Sequence, residues 1–171
     1  MVSHIESSTL LEAIAIMTDW RRVHPFVCTA TVWEPEYSSP QRYRAHIDPG
    51  NSSFNAENCT DHSTLAYDDS TREMTVGDNR ALRTSNMIAW EPFAVRLAFP
   101  LSLPIWGRRH DAYTIIGTDS HPDSIELHLA TGPRREPTGT MRVDRARRIT
   151  TSLRLPTLAI EYTDFEPARS L

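Results

Sequence analysis

The spacing of apolar residues predicts one long helix near the start of the chain, over residues 3–20. Apolar side chains recur there at the i, i+3, i+4 and i+7 positions of one helical face, namely Leu10, Ala13, Ile14, Met17 and Trp20. Two matches to the S/T-x-x-E capping box, beginning at Ser3 and Thr9, leave the first helical residue open. The residue before a proline avoids the helical region, so His24-Pro25 ends the segment. We expect Leu10, Ile14 and Met17 to be buried.

Beyond Pro25 the apolar residues alternate with polar ones, which predicts strands over residues 26–85. One face of the first strand carries Phe26, Cys28, Ala30 and Val32. A turn is predicted at Asp48-Pro49-Gly50-Asn51, and the polar residues 49–62 are interpreted as a loop. A hairpin follows, with Leu65 and Tyr67 in its first strand and Met74 and Val76 in its second.

Residues 112–165 show the alternation most clearly. Five short apolar runs separated by turn residues are typical of an antiparallel meander. The chain is therefore predicted to form a single α+β domain over residues 1–171, built on a strongly curved antiparallel sheet of about seven to ten strands that resembles a half-barrel. We expect the N-terminal helix and a short central helix over 91–98 to pack on the concave face, leaving an apolar cleft for a ligand.

Residues 88–107 follow neither the helical spacing of the N-terminal segment nor the alternation of the strands. Pro92 suits the first turn of a short helix, whereas Pro100 and Pro104 keep the following residues out of any central strand. The segment contains two of the four tryptophans, Trp90 and Trp106. Its apolar side chains either line a cavity or, if they are exposed, dock a partner.

The composition of the chain argues against several classes of function. The chain has 171 residues, a net charge of −4 and a pI near 6.0, so it lacks the basic excess of proteins that bind nucleic acid. All eighteen basic residues are arginines. No apolar stretch is long enough for a transmembrane helix, and the N-terminus lacks the features of a signal peptide. We therefore expect a cytoplasmic protein.

The residues with reactive side chains form no catalytic, metal-binding or cofactor-binding pattern. There is no G-x-S-x-G nucleophile motif, and no Walker or Rossmann glycine loop among the six glycines. Cys28 lies within an apolar alternation, so we expect a buried thiol that is not bonded to Cys59. Neighbouring pairs such as His110-Asp111 point to opposite faces of an extended segment and chelate poorly. No metal and no cofactor are expected.

The order of the elements resembles a known group of proteins. The N-terminal helix, the run Pro25-Phe26-Val27-Cys28-Thr29-Ala30-Thr31-Val32-Trp33, and a meander that ends in Gly139-Thr140-Met141-Arg142-Val143-Asp144 and a return strand resemble the lipoprotein-carrier folds of the LolA and LppX type. This resemblance implies a curved open half-barrel that cradles an acyl chain under a helical lid. We expect this chain to differ from that family in having no leader peptide and no lipobox. Residues 103–108 also resemble a segment of uncharacterised actinobacterial proteins.

Three functional hypotheses follow. The first is a non-enzymatic binding protein for a hydrophobic or amphipathic molecule such as a lipid. Its cavity is predicted to be lined by Trp90, Phe93, Leu97 and Trp106, with Arg108, Arg109 and His110 at its mouth. These three cations either hold an anionic head group or form a solvated turn. The alternative is a protein-interaction module or homodimer that docks through residues 88–107, and the third hypothesis is an enzyme of unknown class.

Overall fold

All strands of the described residues belong to one antiparallel sheet. The computed structural model describes residues 7–82, 91–132 and 136–169. In chain order the strands are β1 (Phe26–Trp33), β2 (Gln41–Asp48), β3 (Ser53–Asn58), β4 (Thr64–Asp68), β5 (Glu73–Val76), β6 (Asn79–Leu82), β7 (Thr114–Ser120), β8 (Ser124–Ala130), β9 (Pro137–Asp144), β10 (Ile149–Leu155) and β11 (Leu158–Pro167). The helices are α1 (Ser7–Thr18) and α2 (Phe93–Arg96).

The strand order makes the sheet from two meanders placed side by side. It runs β6-β5-β4-β3-β2-β1-β11-β10-β9-β8-β7, so each strand pairs with its neighbour in the chain except at the centre. There β1 pairs with β11, with Phe26 opposite Pro167 and Trp33 opposite Ala159. The sheet is open and curved, which confirms the predicted α+β half-barrel.

Irregular pairing accounts for part of the curvature. The register shifts in four strand pairs, for example between Val27 and Thr29 in β1 and between Ile115 and Gly117 in β7. Each such bulge bends a strand and increases its local twist. The concave face carries α1, which packs on β7–β10, and α2, which packs on β1–β3.

The interpretation of residues 49–62 as a loop was wrong, because β3 runs through them. Its burial alternates, with Phe54 and Ala56 buried and Asn55 and Glu57 exposed. The exposed polar residues obscured this short alternation in the sequence. With β3 and the short edge strand β6, the sheet has eleven strands rather than seven to ten.

The N-terminal helix begins at Ser7 within the described residues, and its buried face differs from the predicted one. Ala13 and Met17 are buried as expected, but the remaining buried positions are Thr9 and Ile16. Leu10 and Ile14 are only half-buried. Apolar residues occupy most positions from Leu10 to Met17, so the period alone did not single out one face.

The central segment is largely interior. Its helix, Phe93–Arg96, is shorter than the predicted 91–98. Pro92 has an extended ψ of 150° and precedes the helix, and beyond Arg96 the backbone bonds are of the 3-10 type, from Ala98 N–H to Val95 and from Phe99 N–H to Arg96. A 3-10 turn follows at Pro100–Ser102. The alternative in which 88–107 exposes its apolar surface is wrong for residues 91–107, where most apolar side chains are buried, namely Ala94, Val95, Leu97, Ala98, Phe99, Leu103 and Ile105.

The remaining predictions about the core are confirmed for the described residues. Phe26, Cys28, Ala30 and Val32 form the buried face of β1. Cys28 is a buried free thiol, whereas Cys59 is an exposed one. Among the described residues, no helix has the length and apolar character needed to cross a bilayer.

Candidate functional site

A cleft of about 720 Å³ opens on the concave side, where the cover of the sheet is incomplete. Its walls come from the turn after α1, from β3 and β4, and from the segment between Glu91 and Asp111. This volume lies within the range of about 300–1,000 Å³ that is typical of small-molecule sites. The cleft is therefore the candidate ligand site.

Four aromatic rings form a continuous wall of this cleft. Trp20 and Phe99 meet edge to face with their ring centroids 5.2 Å apart. Phe99 in turn lies 6.1 Å from Phe54, and Phe54 lies 6.2 Å from Tyr67. We call these four residues the aromatic wall. Phe54, Phe99 and Tyr67 are only 3, 5 and 7% exposed, so Trp20 is the ring that presents most surface to the cleft. Aromatic ring faces also attract cations.

Local structure brings the aromatic wall together from distant parts of the chain. Phe54 in β3 is directly opposite Tyr67 in β4, so their side chains share one face of the sheet. Trp20 begins the 3-10 turn Trp20–Arg22 after α1. Phe99 immediately precedes the 3-10 turn Pro100–Ser102 and packs against Phe54 of β3.

Arg108 and Asp111 line the cleft and form an ion pair that we call the clamp. The Arg108 guanidinium donates hydrogen bonds to both Asp111 carboxylate oxygens, at 3.0–3.2 Å, and to the carbonyl oxygens of Leu101 and Leu103, at 3.1 and 2.9 Å. The backbone N–H groups of Trp106 and Arg108 donate to the same carboxylate. The charge and most donors of Arg108 are thus already used within the protein.

The environment of Asp111 stabilises its charged form. Burial alone would raise the pKa of Asp111, whose side chain is only 6% exposed. The hydrogen bonds from Arg108 and the nearby guanidinium charge outweigh this effect, so the pKa lies below its ordinary value. The clamp therefore stays ionised at neutral pH.

Two further carboxylates line the cleft. Asp69 accepts a hydrogen bond from the Tyr67 hydroxyl at 2.8 Å, which places it beside the aromatic wall. Glu91 has one carboxylate oxygen, Oε2, that is buried without a hydrogen-bond partner among the described residues. Buried polar atoms are normally paired, so this oxygen is an exception that calls for an explanation.

Of the described residues that were predicted to bind ligand, only two line the cleft. Arg108 and His110 line the cleft, whereas Arg109 is exposed outside its lining. Leu97 is fully buried in the core. Phe93 stacks under the Arg96 guanidinium at 4.5 Å, and the Trp106 indole N–H donates to the Pro100 carbonyl at 2.9 Å. Neither ring belongs to the cleft lining, and Trp90 lies outside the described residues.

The sequence reasoning missed all four residues of the aromatic wall as site residues. Their positions, 20, 54, 67 and 99, share no motif, and only the pairing of β3 with β4 makes two of them neighbours. The alternation of Phe54 and Ala56 was the one signal that could have placed Phe54 on the concave face.

One group of side chains on the outer face has the chemistry of metal ligands. Ligand atoms of Asp119, Glu126 and His128 lie within 4.8 Å of one another. Each also has a protein partner: His128 Nε2 is 2.8 Å from Asp119, and Arg142 is 3.7 Å from Glu126. The hydrogen bond between His128 and Asp119 and the ion pair between Arg142 and Glu126 account for this arrangement.

The buried thiol offers no nucleophile. Burial raises the pKa of Cys28 to about 12, so the thiol stays protonated at neutral pH. A protonated, enclosed thiol is a small apolar side chain in its chemistry.

Comparison with known proteins finds similarity in fold only. No protein-family model matches the chain, and no curated protein matches it. MucB has the same fold, with a TM-score of 0.53 and 11% identity over 98% of this chain and 62% of MucB. In a complex of MucA and MucB from Pseudomonas aeruginosa, the match has a TM-score of 0.53 and 11% identity over 94% of this chain and 58% of that chain.

The similar structures also include a LolA superfamily protein from Nitrosomonas europaea, as the sequence resemblance predicts. It aligns with 93% of this chain and 94% of its own, at 12% identity and a TM-score of 0.36. This chain spans about three fifths of the length of MucB. At these sequence identities the similarities show the fold alone, and of the structures named here only MucB has a TM-score above 0.5.

Proposed function

We propose that this protein is a non-enzymatic binding protein for a hydrophobic or amphipathic molecule held in the cleft. The observation that carries the proposal is the aromatic wall, four rings in contact along one side of a cavity of about 720 Å³. Apolar surface of this kind gains free energy when a ligand displaces water from it, by about 25 cal/mol for each Å² buried. The LolA-like fold supports a carrier role.

The test compares two leucines that are both exposed but differ in position. Leu101 lines the cleft and is 44% exposed, whereas Leu82 lies on the edge strand β6 and is 72% exposed. Titration of decyl maltoside, followed by calorimetry, should show binding that Leu101→Gln weakens about fivefold, roughly 1 kcal/mol of lost apolar contact. Leu82→Gln should leave the affinity unchanged, and equal effects of the two changes would contradict the cleft as the site.

A second candidate, a protein-interaction module, is favoured by the edge of the sheet. All four residues of β6 are exposed, and its outer backbone groups have no strand partner among the described residues. Unpaired edge strands are common sites for adding a strand from another chain. MucB binds MucA, and its fold is shared here, which supports this candidate. Native mass spectrometry distinguishes the two: a bound small mass supports the first and a stable dimer supports the second.

A further inference from the structure

Acidic side chains outnumber arginines in the lining of the cleft. Three carboxylates, of Asp69, Glu91 and Asp111, face two guanidinium groups, of Arg21 and Arg108. Arg108 and Asp111 neutralise each other in the clamp. Arg21 is exposed, with its guanidinium carbon 5.2 Å from the centroid of the Trp20 ring. The interior of the cleft therefore has more negative than positive charge available to a ligand.

Glu91 contributes the negative charge that is least compensated. Its Oε2 atom is buried and has no hydrogen-bond partner among the described residues. Arg96, whose charge acts on Glu91, stacks on Phe93 and donates its Nε–H to the backbone carbonyl of Glu91, at 2.9 Å, rather than to the carboxylate. A buried, unpaired carboxylate oxygen costs free energy, and a bound cation would recover part of that cost.

We propose that the cleft selects amphiphiles with a cationic head group, an aliphatic or quaternary ammonium, for which Glu91 is the counter-ion and Trp20, the most exposed ring of the aromatic wall, is the cation–π surface. This inference rests on the proposed function. Ammonium groups are attracted to the faces of aromatic rings, and the seating of Arg21 on Trp20 shows a ring of this wall beside a cation. An anionic head group at Arg108 was one of the two alternatives from the sequence, but the donors of Arg108 are occupied by Asp111.

The experiment uses three probes with the same ten-carbon tail: decyltrimethylammonium, decanoate and decyl maltoside. Each is titrated into the protein below its micellar concentration at 150 mM salt, with binding measured by calorimetry. The ammonium probe should bind about tenfold more tightly than decanoate, since one paired charge and one cation–π contact are worth roughly 1–2 kcal/mol. Decyl maltoside should fall between the two.

Two charge-neutralising variants test whether Glu91 causes the preference for the ammonium probe. Glu91→Gln should weaken binding of decyltrimethylammonium about tenfold and leave decyl maltoside unchanged within twofold. Glu36→Gln makes the same change in net charge at an exposed turn outside the cleft and should alter neither affinity.

The outcomes separate the two proposals. If decanoate binds as tightly as the ammonium probe, or if Glu91→Gln weakens all three probes equally, the head-group inference is overturned while the binding function stands. If none of the three probes binds, the binding function itself fails. Equal loss of ammonium binding in Glu36→Gln and Glu91→Gln would show a general effect of net charge and would also overturn the inference.

Discussion

The two meanders of the sheet are covered to different extents. Under α1, the inward residues of β8 (Ile125, Leu127 and Leu129) are fully buried, as are Met141 and Val143 of β9. At the opposite edge, Leu65 of β4 and Met74 of β5 are only half-buried, and every residue of β6 is exposed. The two regions belong to one sheet, but the inward side chains of β8 and β9 are more deeply buried than those of β4 and β5.

This difference explains where the cleft lies. A long helix fills the concavity over β7–β10, whereas α2 has one turn and reaches only β1–β3. Beyond β3, no helix of the described ranges packs closely on the sheet, and the nearly buried rings of Phe54 and Tyr67 lie at the wall of the cleft. The longer helix thus covers the C-terminal meander, and the cleft lies beside β3 and β4 of the N-terminal meander.

The largest expected loss of stability comes from a charge placed under α1. Ile16 is 3% exposed against the sheet, so Ile16→Asp should leave an unpaired buried charge and cost about 4 kcal/mol or more. Ile14 is half-buried on the same helix, and Ile14→Asp should cost about 1 kcal/mol. Urea unfolding measures both. Similar losses for the two variants would mean that the orientation of α1 differs from the one described.

A second prediction compares the two meanders directly. Leu127→Ala removes a fully buried side chain from β8 and should cost about 3 kcal/mol, since the cavity cannot collapse beneath α1. Leu65→Ala removes a half-buried one from β4 and should cost about 1 kcal/mol. The same unfolding measurement applies. Equal costs would contradict the division into a deep and a shallow half.

The smallest expected effect concerns the attachment of α1 to the C-terminal meander. Arg145, at the turn after β9, donates hydrogen bonds to both Glu12 carboxylate oxygens, at 2.8 and 3.0 Å, and to the carbonyl oxygen of His121. These bonds lower the pKa of Glu12 below its ordinary 4.5. The side chain of Glu12 is 45% exposed, so solvent screening limits the contribution to about 0.5 kcal/mol.

The sign of this contribution sets its pH dependence. A lowered carboxyl pKa stabilises the fold above the ordinary pKa, and this stability is lost as the pH falls through the folded-state pKa. Glu12→Gln should therefore be less stable than the wild type at pH 7 and equal to it once the pH is well below 4.5. Glu161→Gln, on the exposed face of β11, is the control. A difference that persists unchanged in acid would rule out the ion pair as its cause.

The fold was more predictable than the site, for physical reasons. Alternation fixes which residues of a strand share a face, and this placed Phe26, Cys28 and Ala30 correctly without knowledge of the partner strands. The alternation fails as a guide where a turn and polar residues surround a short strand, as around Phe54. A helix with apolar residues on most sides, such as α1, likewise allows more than one buried face.

The cleft depends on contacts that local patterns do not encode. Trp20 and Phe99 touch although almost 80 positions separate them in the chain. The proline-rich segment was correctly singled out, and its neighbours Arg108 and His110 do line the cleft. The pairing of Arg108 with Asp111 three residues later was not foreseen, and it changes the charge that the site presents.

The central pairing of β1 with β11 has a consequence for how the protein folds. Every other strand pair joins strands that are consecutive in the chain, whereas Phe26 meets Pro167 across about 140 residues. The loop-closure entropy of such a contact is large, and contacts between distant residues slow folding. Each meander can therefore form by successive local hairpins, while the seam between them forms only after the last strand has been synthesised. During translation the N-terminal meander thus has an additional open edge at β1, where β11 will later bind.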